Sequence, residues 1–289
     1  MTAPPRLNPH VFSEIRQQLD SDEFIQLIAG TTLFDSIPVD SIPLATIEEL
    51  CGAAKIIPLK KNQSLLIESH DPAKLMIYEI LSGYVKIYDR PIPKSRKAKA
   101  ETRSPPALLA WRVPGELLGD FQLTLPKTAP LDHIVATDDC QLLEIPAPTI
   151  RKFAISFPQV YLNIAGNLAT KAIKARIRAQ ILRLPNIESM IAQLFIELLH
   201  ERTPEEELTD RFLVNGTFHI DDIAAFLGYE YRSTQAAVHH LIEDNYLKHH
   251  RSKKSGRFEI SDLQGLHLLV ERELDKARES NESNKIRNN

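Results

Sequence analysis

The sequence predicts an α+β chain in three parts: an antiparallel sandwich or roll, one long helix, and a helical unit with a hairpin. Three observations carry this. Short β-rich runs recur between Ile56 and Ile145, separated by Gly, Pro, Asp and Ser, the spacing of an antiparallel sandwich or roll. Apolar or small residues then repeat at steps of three and four from Tyr161 to Leu182, the mark of a helix with a coiled-coil-like seam. Two short amphipathic segments finally meet at Gly228 and run into a basic hairpin, a helix-turn-helix followed by a wing.

Composition bounds the function. The 289 residues are 43% hydrophobic and 25% charged, a balance that excludes a wholly disordered or collagen-like chain, and the length suits two domains. No stretch approaches the ~18 consecutive apolar residues of a membrane span, and Met1–His10 lacks a charged-then-apolar leader pattern. A cytoplasmic protein without membrane contact is expected. Cys51 and Cys140 supply neither a disulfide framework nor a four-thiolate cluster. The sequence has no Walker-type loop, no Gly-x-Ser-x-Gly and no metal-spaced Cys/His cluster, so neither an enzyme nor a resident cofactor is expected.

The elements follow in order. Residues 1–30 read as a polar arm with a short helix around Val11–Ala29, and a second helix lies near Ile42–Ala54. Strands are expected at Ser64–Glu68, Met76–Leu81, Tyr84–Tyr88, Leu108–Val113, Ile134–Thr137 and Gln141–Ile145. Pro91–Pro106, with Arg96, Lys97, Lys99 and Arg103, reads as a basic loop inserted in a hairpin. The long helix opens at Pro158, where a missing N–H costs nothing, and its seam is Tyr161, Ile164, Leu168, Ala172, Ala175, Ala179 and Leu182. Small residues on one stripe of a lone 25-residue helix suit a homodimer contact. Leu184-Pro185 ends it, and Asn186 is a good N-cap for a helix over Ile187–His200. An acidic loop around Glu205–Glu207 leads to a strand near Phe212–Val214, and residues 275–289 are expected to be a disordered polar tail.

Local charge points to a polyanion. The net charge is only −3, yet Pro158–Ile187 and Tyr246–Phe258 each carry five basic residues and no acid, and local sign steers a partner more than the total does. Ile220, Ile223, Ala224 and Leu227 form one apolar helical face ending at Gly228, and Val238, Leu241 and Ile242 form the second. From Tyr231 to Ile242 there is no acid. Tyr231, Arg232, Ser233, Thr234, Gln235 and His239 are expected to meet phosphates or base edges of double-stranded DNA. Arg251, Lys253, Lys254 and Arg257 on the wing are expected to grip phosphates.

Several pieces in order carry a family resemblance: Leu33-Phe34, His70-Asp71-Pro72, Ile80–Tyr88 (ILSGYVKIY), Pro114–Phe121 (PGELLGDF), Ile187–Leu194 and Leu241–Leu247. Across roughly Leu33 to Ile260 the chain resembles the cyclic-AMP receptor protein/FNR (Crp/Fnr) transcription regulators, as a divergent branch. The resemblance implies an N-terminal β-roll sensor over 31–157, a jelly roll of the cyclic-nucleotide-binding type. It further implies a dimerisation helix over 158–184 and a winged helix-turn-helix over 185–274, giving a homodimer with RNA polymerase as a further candidate partner.

The departures bear on the effector. Cyclic-nucleotide binders of the family place a Glu after the second glycine of the phosphate cassette; here Gly119 is followed by Asp120. The Arg that would pair with the cyclic phosphate falls on Pro130, beside Leu131, with Lys127 as a weaker substitute. The two adenine-side hydroxyl positions fall on Ala175 and Arg176. The expected effector is therefore not cyclic AMP, and Gly119, Asp120 and Arg176 are the candidate effector contacts. An iron–sulfur sensor lacks its cysteines, and His10, His70 and His133 are weak haem-ligand candidates. On the recognition helix Arg232 is kept, while Ser233 and Ala237 stand where the family has a Glu and a second Arg. A competing reading is an effector sensor acting through a protein partner, since residues 186–289 carry 13 Lys or Arg against 19 Asp or Glu.

Overall fold

The computed structural model describes residues 21–67, 74–90, 106–124, 132–202, 212–214, 218–251 and 256–287. The expected contacts or ligands Lys127, Pro130, Leu131, Lys253, Lys254, His10 and His70 lie outside them, as do His70-Asp71-Pro72, the basic insertion and the acidic loop. The chain divides into two compact units, residues 1–172 and 173–289.

Among the described residues, eight strands form the sandwich of the first unit: β1 (Lys55–Leu59), β2 (Ser64–Ile67), β3 (Met76–Ser82), β4 (Val85–Tyr88), β5 (Leu108–Arg112), β6 (Leu117–Leu118), β7 (Asp132–Ala136) and β8 (Cys140–Pro146). They make two four-stranded antiparallel sheets, ordered β1-β8-β3-β6 and β2-β7-β4-β5. Strand alternation sends Tyr78, Ile80 and Leu142 from one sheet, and Val85, Ile87 and Ile134 from the other, into a shared core. The first sheet is apolar on its outer face too, because Ile77, Leu143 and Ile145 point the other way.

That outer face is covered by helices α1 (Ser21–Ala29), α2 (Leu44–Ala53), α4 (Ala147–Ser156) and the start of the long α5 (Gln159–Ile181); a short α3 spans Phe121–Thr124. The sequence reading missed β1, β6, α3 and α4. β1 carries Pro58 and β6 has two residues, too little for a period-2 signal. Helix α4 opens on Pro146 and Ala147-Pro148, which read locally as a turn but suit a first helical turn.

One seam expectation is corrected. Ile164 is 3% exposed, and Leu168 packs against the same core of its own chain, so neither faces outward. Tyr161, Ala172, Ala175, Ala179 and Leu182 are exposed. The open apolar stripe on α5 is Leu162 (64% exposed), Ala165, Ala169 and Ala172, at steps of three, four and three, with Ile173 (60% exposed) beside it. The shift arises because one side of the helix already lies on the core of the roll.

In the second unit, α6 (Ile187–Arg202) is the central helix. Asn186 caps it, its side-chain oxygen accepting the Ser189 N–H at 2.8 Å. Ile191, Leu194, Phe195, Leu198 and Leu199 are buried around it, and Phe195 packs on Phe218 and Phe258. Strands β9 (Phe212–Val214), β10 (Leu247–Arg251) and β11 (Gly256–Ile260) form a sheet ordered β10-β11-β9. The expected disordered tail is overturned, since α9 runs from Leu263 to Arg287. Leu266, Leu269 and Val270 bury its first turns, and the polar residues beyond them are mostly good helix formers that extend an anchored helix.

Candidate nucleic-acid interface

Helices α7 (Ile220–Leu227) and α8 (Tyr231–Glu243) form the helix-turn-helix. The Asp222 carboxylate accepts the His219 N–H at the start of α7. Gly228 ends the helix at φ 75, and the Gly228 and Tyr229 N–H groups both donate to the Ala224 carbonyl. Val238 and Leu241 are buried, so one face of α8 is fixed against the core and the opposite face is left to solvent.

The exposed face carries Tyr231, Arg232, Ser233, Gln235, Ala236, His239 and His240. Thr234 does not belong to it. It is fully buried and its hydroxyl donates to the Glu230 carbonyl at 3.1 Å, so its expected contact with DNA is corrected to a role in the first turn of α8. Ala237 is buried as well, and the outward position that follows Gln235 is Ala236. The helix also runs one residue past the acid-free segment, to Glu243, whose carboxylate lies 3.1 Å from His239 Nδ1. His240 meets Glu188 at 2.8 Å, and this bond raises its pKa.

The wing is β10 paired antiparallel with β11, from Leu247 opposite Ile260 to Arg251 opposite Gly256. His249 stacks on Phe258 at 4.3 Å between ring centroids, which fixes the inner face. On the outer face Arg257 is exposed, whereas Glu259 accepts from His250 at 2.8 Å and lies 3.6 Å from Lys248. The His250 hydrogen bond, and then Lys248, hold the Glu259 carboxyl below its ordinary value. Part of the wing's positive charge is thus already balanced at its base. Backbone at Arg251 ends the strand.

In the roll, Gly119 sits at φ 77, and a Cβ there would lie 2.8 Å from the Met76 carbonyl. Asp120 is 0% exposed. Its Oδ1 meets Lys171 Nζ at 2.5 Å, and the same ammonium donates to the Leu117 carbonyl at 2.6 Å and lies 5.5 Å from the centre of the Phe121 ring. Burial pulls the Lys171 pKa down, and Asp120 opposes that pull. Arg176 is exposed on α5 within the second unit, and the cation that Asp120 receives is Lys171. Sequence reasoning missed Lys171 because it counted the basic residues of α5 as one run; only the packing of the helix separates it from its neighbours. His133 is buried, which lowers its pKa. Among the described residues no group of three or more His, Cys, Asp or Glu is placed to hold a metal ion, and no helix is long and apolar enough to cross a membrane.

No protein-family model matches the chain, and no curated protein matches it. Solved structures do. FixK2 from Bradyrhizobium japonicum matches at 17% identity with a TM-score of 0.56, over 75% of this chain and 96% of that one. A CRP/FNR-family transcriptional regulator from Thermus thermophilus matches at 19% identity and a TM-score of 0.54, over 75% and 98%. A CooA variant from Carboxydothermus hydrogenoformans matches at 13% identity and a TM-score of 0.55, over 76% and 88%. At such identities the likeness is one of fold, and that fold, sandwich, long helix and winged helix-turn-helix in this order, is the fold of the Crp/Fnr transcription regulators.

Proposed function

We propose that this chain is a sequence-specific, DNA-binding transcription regulator of the Crp/Fnr type, acting in the cytoplasm without catalytic activity. The observation that carries the reading is the outward face of α8. A capped helix-turn-helix presents Arg232, Gln235 and His239 on one side, beside a hairpin with exposed Arg257. Arg reads guanine and Gln reads adenine in the major groove, while wing cations hold phosphates. The regulator names of the structural neighbours agree with it.

The protein acts as a homodimer in this reading. The small and apolar stripe Leu162, Ala165, Ala169, Ala172 and Ile173 on α5 suits close approach of the same helix from a second copy. Two recognition helices would then enter successive major grooves about 34 Å apart. Cyclic AMP is not the effector, since the positions for its phosphate and base carry Pro130, Ala175 and Arg176. RNA polymerase is a further partner to test.

The test is selection of duplexes from a random pool at two salt concentrations, with sequencing of the retained fraction. A two-fold symmetric motif with half-sites one helical turn apart, bound more weakly at high salt, is expected. Recovery of no motif, with weak binding even at low salt, would overturn the reading in favour of a protein partner.

A further inference from the structure

We propose that Lys171 is a built-in, permanent occupant of the anionic anchor in the roll, so that this regulator holds its sensor in one state without a cyclic nucleotide. The inference deepens the proposed function and rests on it for its link to DNA. Its structural half concerns the roll alone.

A row of polar residues runs along α5. Asn163, Asn167 and Lys171 are four apart and so lie on one helical face. Asn163 donates to the carbonyls of Leu33 and Asp35, at 3.1 and 2.8 Å. Asn167 accepts the Leu117 N–H at 3.3 Å and donates to the Gly115 carbonyl at 3.4 Å. Lys171 then bonds the Leu117 carbonyl and Asp120. Both ends of the Gly115–Asp120 segment, which contains the candidate effector contacts Gly119 and Asp120, are therefore held by the chain's own helix.

The last member of the row is the decisive one. The Lys171 side chain is 6% exposed and that of Asp120 0%. A charge is kept this deep only when paired and hydrogen-bonded. Two bonds and the Phe121 ring satisfy the ammonium, and with Asp120 it forms a neutral pair closed to solvent. A diffusible ligand that bonds Asp120 Oδ1 must first expel this ammonium into water and remove its bond to the Leu117 carbonyl, and Oδ2 of the same carboxylate is itself buried. Beside the pair, Arg112 and Glu116 form a second ion pair at 3.8 Å, so these four described residues together carry no net charge. The Lys171 position lies one residue before the division between the two units, so the pair pins the last stretch of α5 that belongs to the roll.

The experiment compares the full-length protein with K171A, K171M and the double variant K171M/D120N. Thermal unfolding is followed in sodium chloride and in propylammonium chloride of equal concentration, and the unaltered protein is titrated calorimetrically with cyclic AMP and cyclic GMP. K171A and K171M are expected to melt roughly 6–20 °C lower, since each leaves a buried carboxylate unpaired. The double variant should recover most of that loss. Propylammonium should raise K171A but not K171M, whose side chain fills the space, and the nucleotides should give no heat. Duplex binding by K171A should fall roughly 5–150-fold and return with the amine. K171M melting with the unaltered protein, or saturable nucleotide binding by the unaltered protein, would overturn the proposal. If K171A does not fold, the K171M and double-variant comparison decides it. Absence of duplex binding by the unaltered protein defeats the DNA reading and leaves the melting and calorimetric results to judge the lock.

Discussion

Arg178, three residues before the end of α5, donates from Nη2 to the Phe226 carbonyl at 2.9 Å, and its guanidinium carbon lies 4.5 Å from the centre of the Phe226 ring. One side chain thus satisfies a carbonyl in the last turn of α7, where a cation is favoured, and also covers an aromatic face. Lys cannot do both, because it lacks the planar fork. Arg178→Ala should destabilise the second unit by about 2–3 kcal/mol, and Arg178→Lys should recover less than half of that. Urea unfolding of the two variants checks it, and equal stability of the Arg and Lys proteins would refute the planar-contact account.

Arg232 and Thr234 stand two residues apart on α8 and separate recognition from folding. Arg232 is exposed and Thr234 is fully buried. Arg232→Ala should weaken binding to the selected duplex by about 1–3 kcal/mol and relax preference at one base position, with melting unchanged. Thr234→Val should do the reverse: it removes the bond to the Glu230 carbonyl and costs about 1 kcal/mol of stability. Quantitative duplex binding and thermal unfolding on both variants distinguish the two roles.

These two residues also show what the sequence makes legible. The helix-turn-helix reads easily, since Gly228 and the apolar faces of α7 and α8 are local signals. Sorting the polar residues of α8 into outward and inward required the packing, and Thr234 was misplaced for that reason. On α5 the apolar repeat is genuine, but Ile164 serves the chain's own core while Leu162 stays open. Spacing alone cannot tell which stripe a neighbouring sheet has claimed. The Lys171–Asp120 pair joins residues 51 positions apart, a distance at which no local pattern reports contact. Helix α9 was missed because its polar second half reads as solvent-loving, while its anchor, Leu266, Leu269 and Val270, occupies only two turns.

Glu79 on β3 gives a pH dependence. Its carboxylate is 2% exposed and accepts the backbone N–H groups of Thr32 and Leu33 at 2.6 and 3.1 Å. Burial raises its pKa to about 7, against the opposing pull of those two bonds. A raised carboxyl means the folded roll holds a proton that the unfolded chain has released. Stability from this group is therefore full below the unfolded value near 4.5 and is lost as pH rises towards 7, by about 3 kcal/mol in all. Glu79→Gln should remove that slope. Unfolding free energies of both proteins at pH 5, 6, 7 and 8 provide the check, and parallel curves would show that Glu79 does not titrate in this window.

Helix α9 packs along α6, and its weight is concentrated at its start. Leu266, Leu269 and Val270 are buried, and Glu273 accepts from the side-chain amide of Asn186 at 2.8 Å, the same Asn186 that caps α6. A chain ending at residue 262 loses all four contacts. At about 1.5–3 kcal/mol for each buried aliphatic side chain the deficit is roughly 5–9 kcal/mol, comparable to the whole stability of a typical domain. A chain ending at residue 276 keeps the three apolar anchors, the Asn186 bond and the Glu273–Lys276 pair, and it should unfold within about 1 kcal/mol of the full-length protein. Urea unfolding of the two truncations, with limited proteolysis of the second unit as a parallel readout, tests the asymmetry. Equal loss in both would mean that the polar half of α9 carries stabilising contacts of its own.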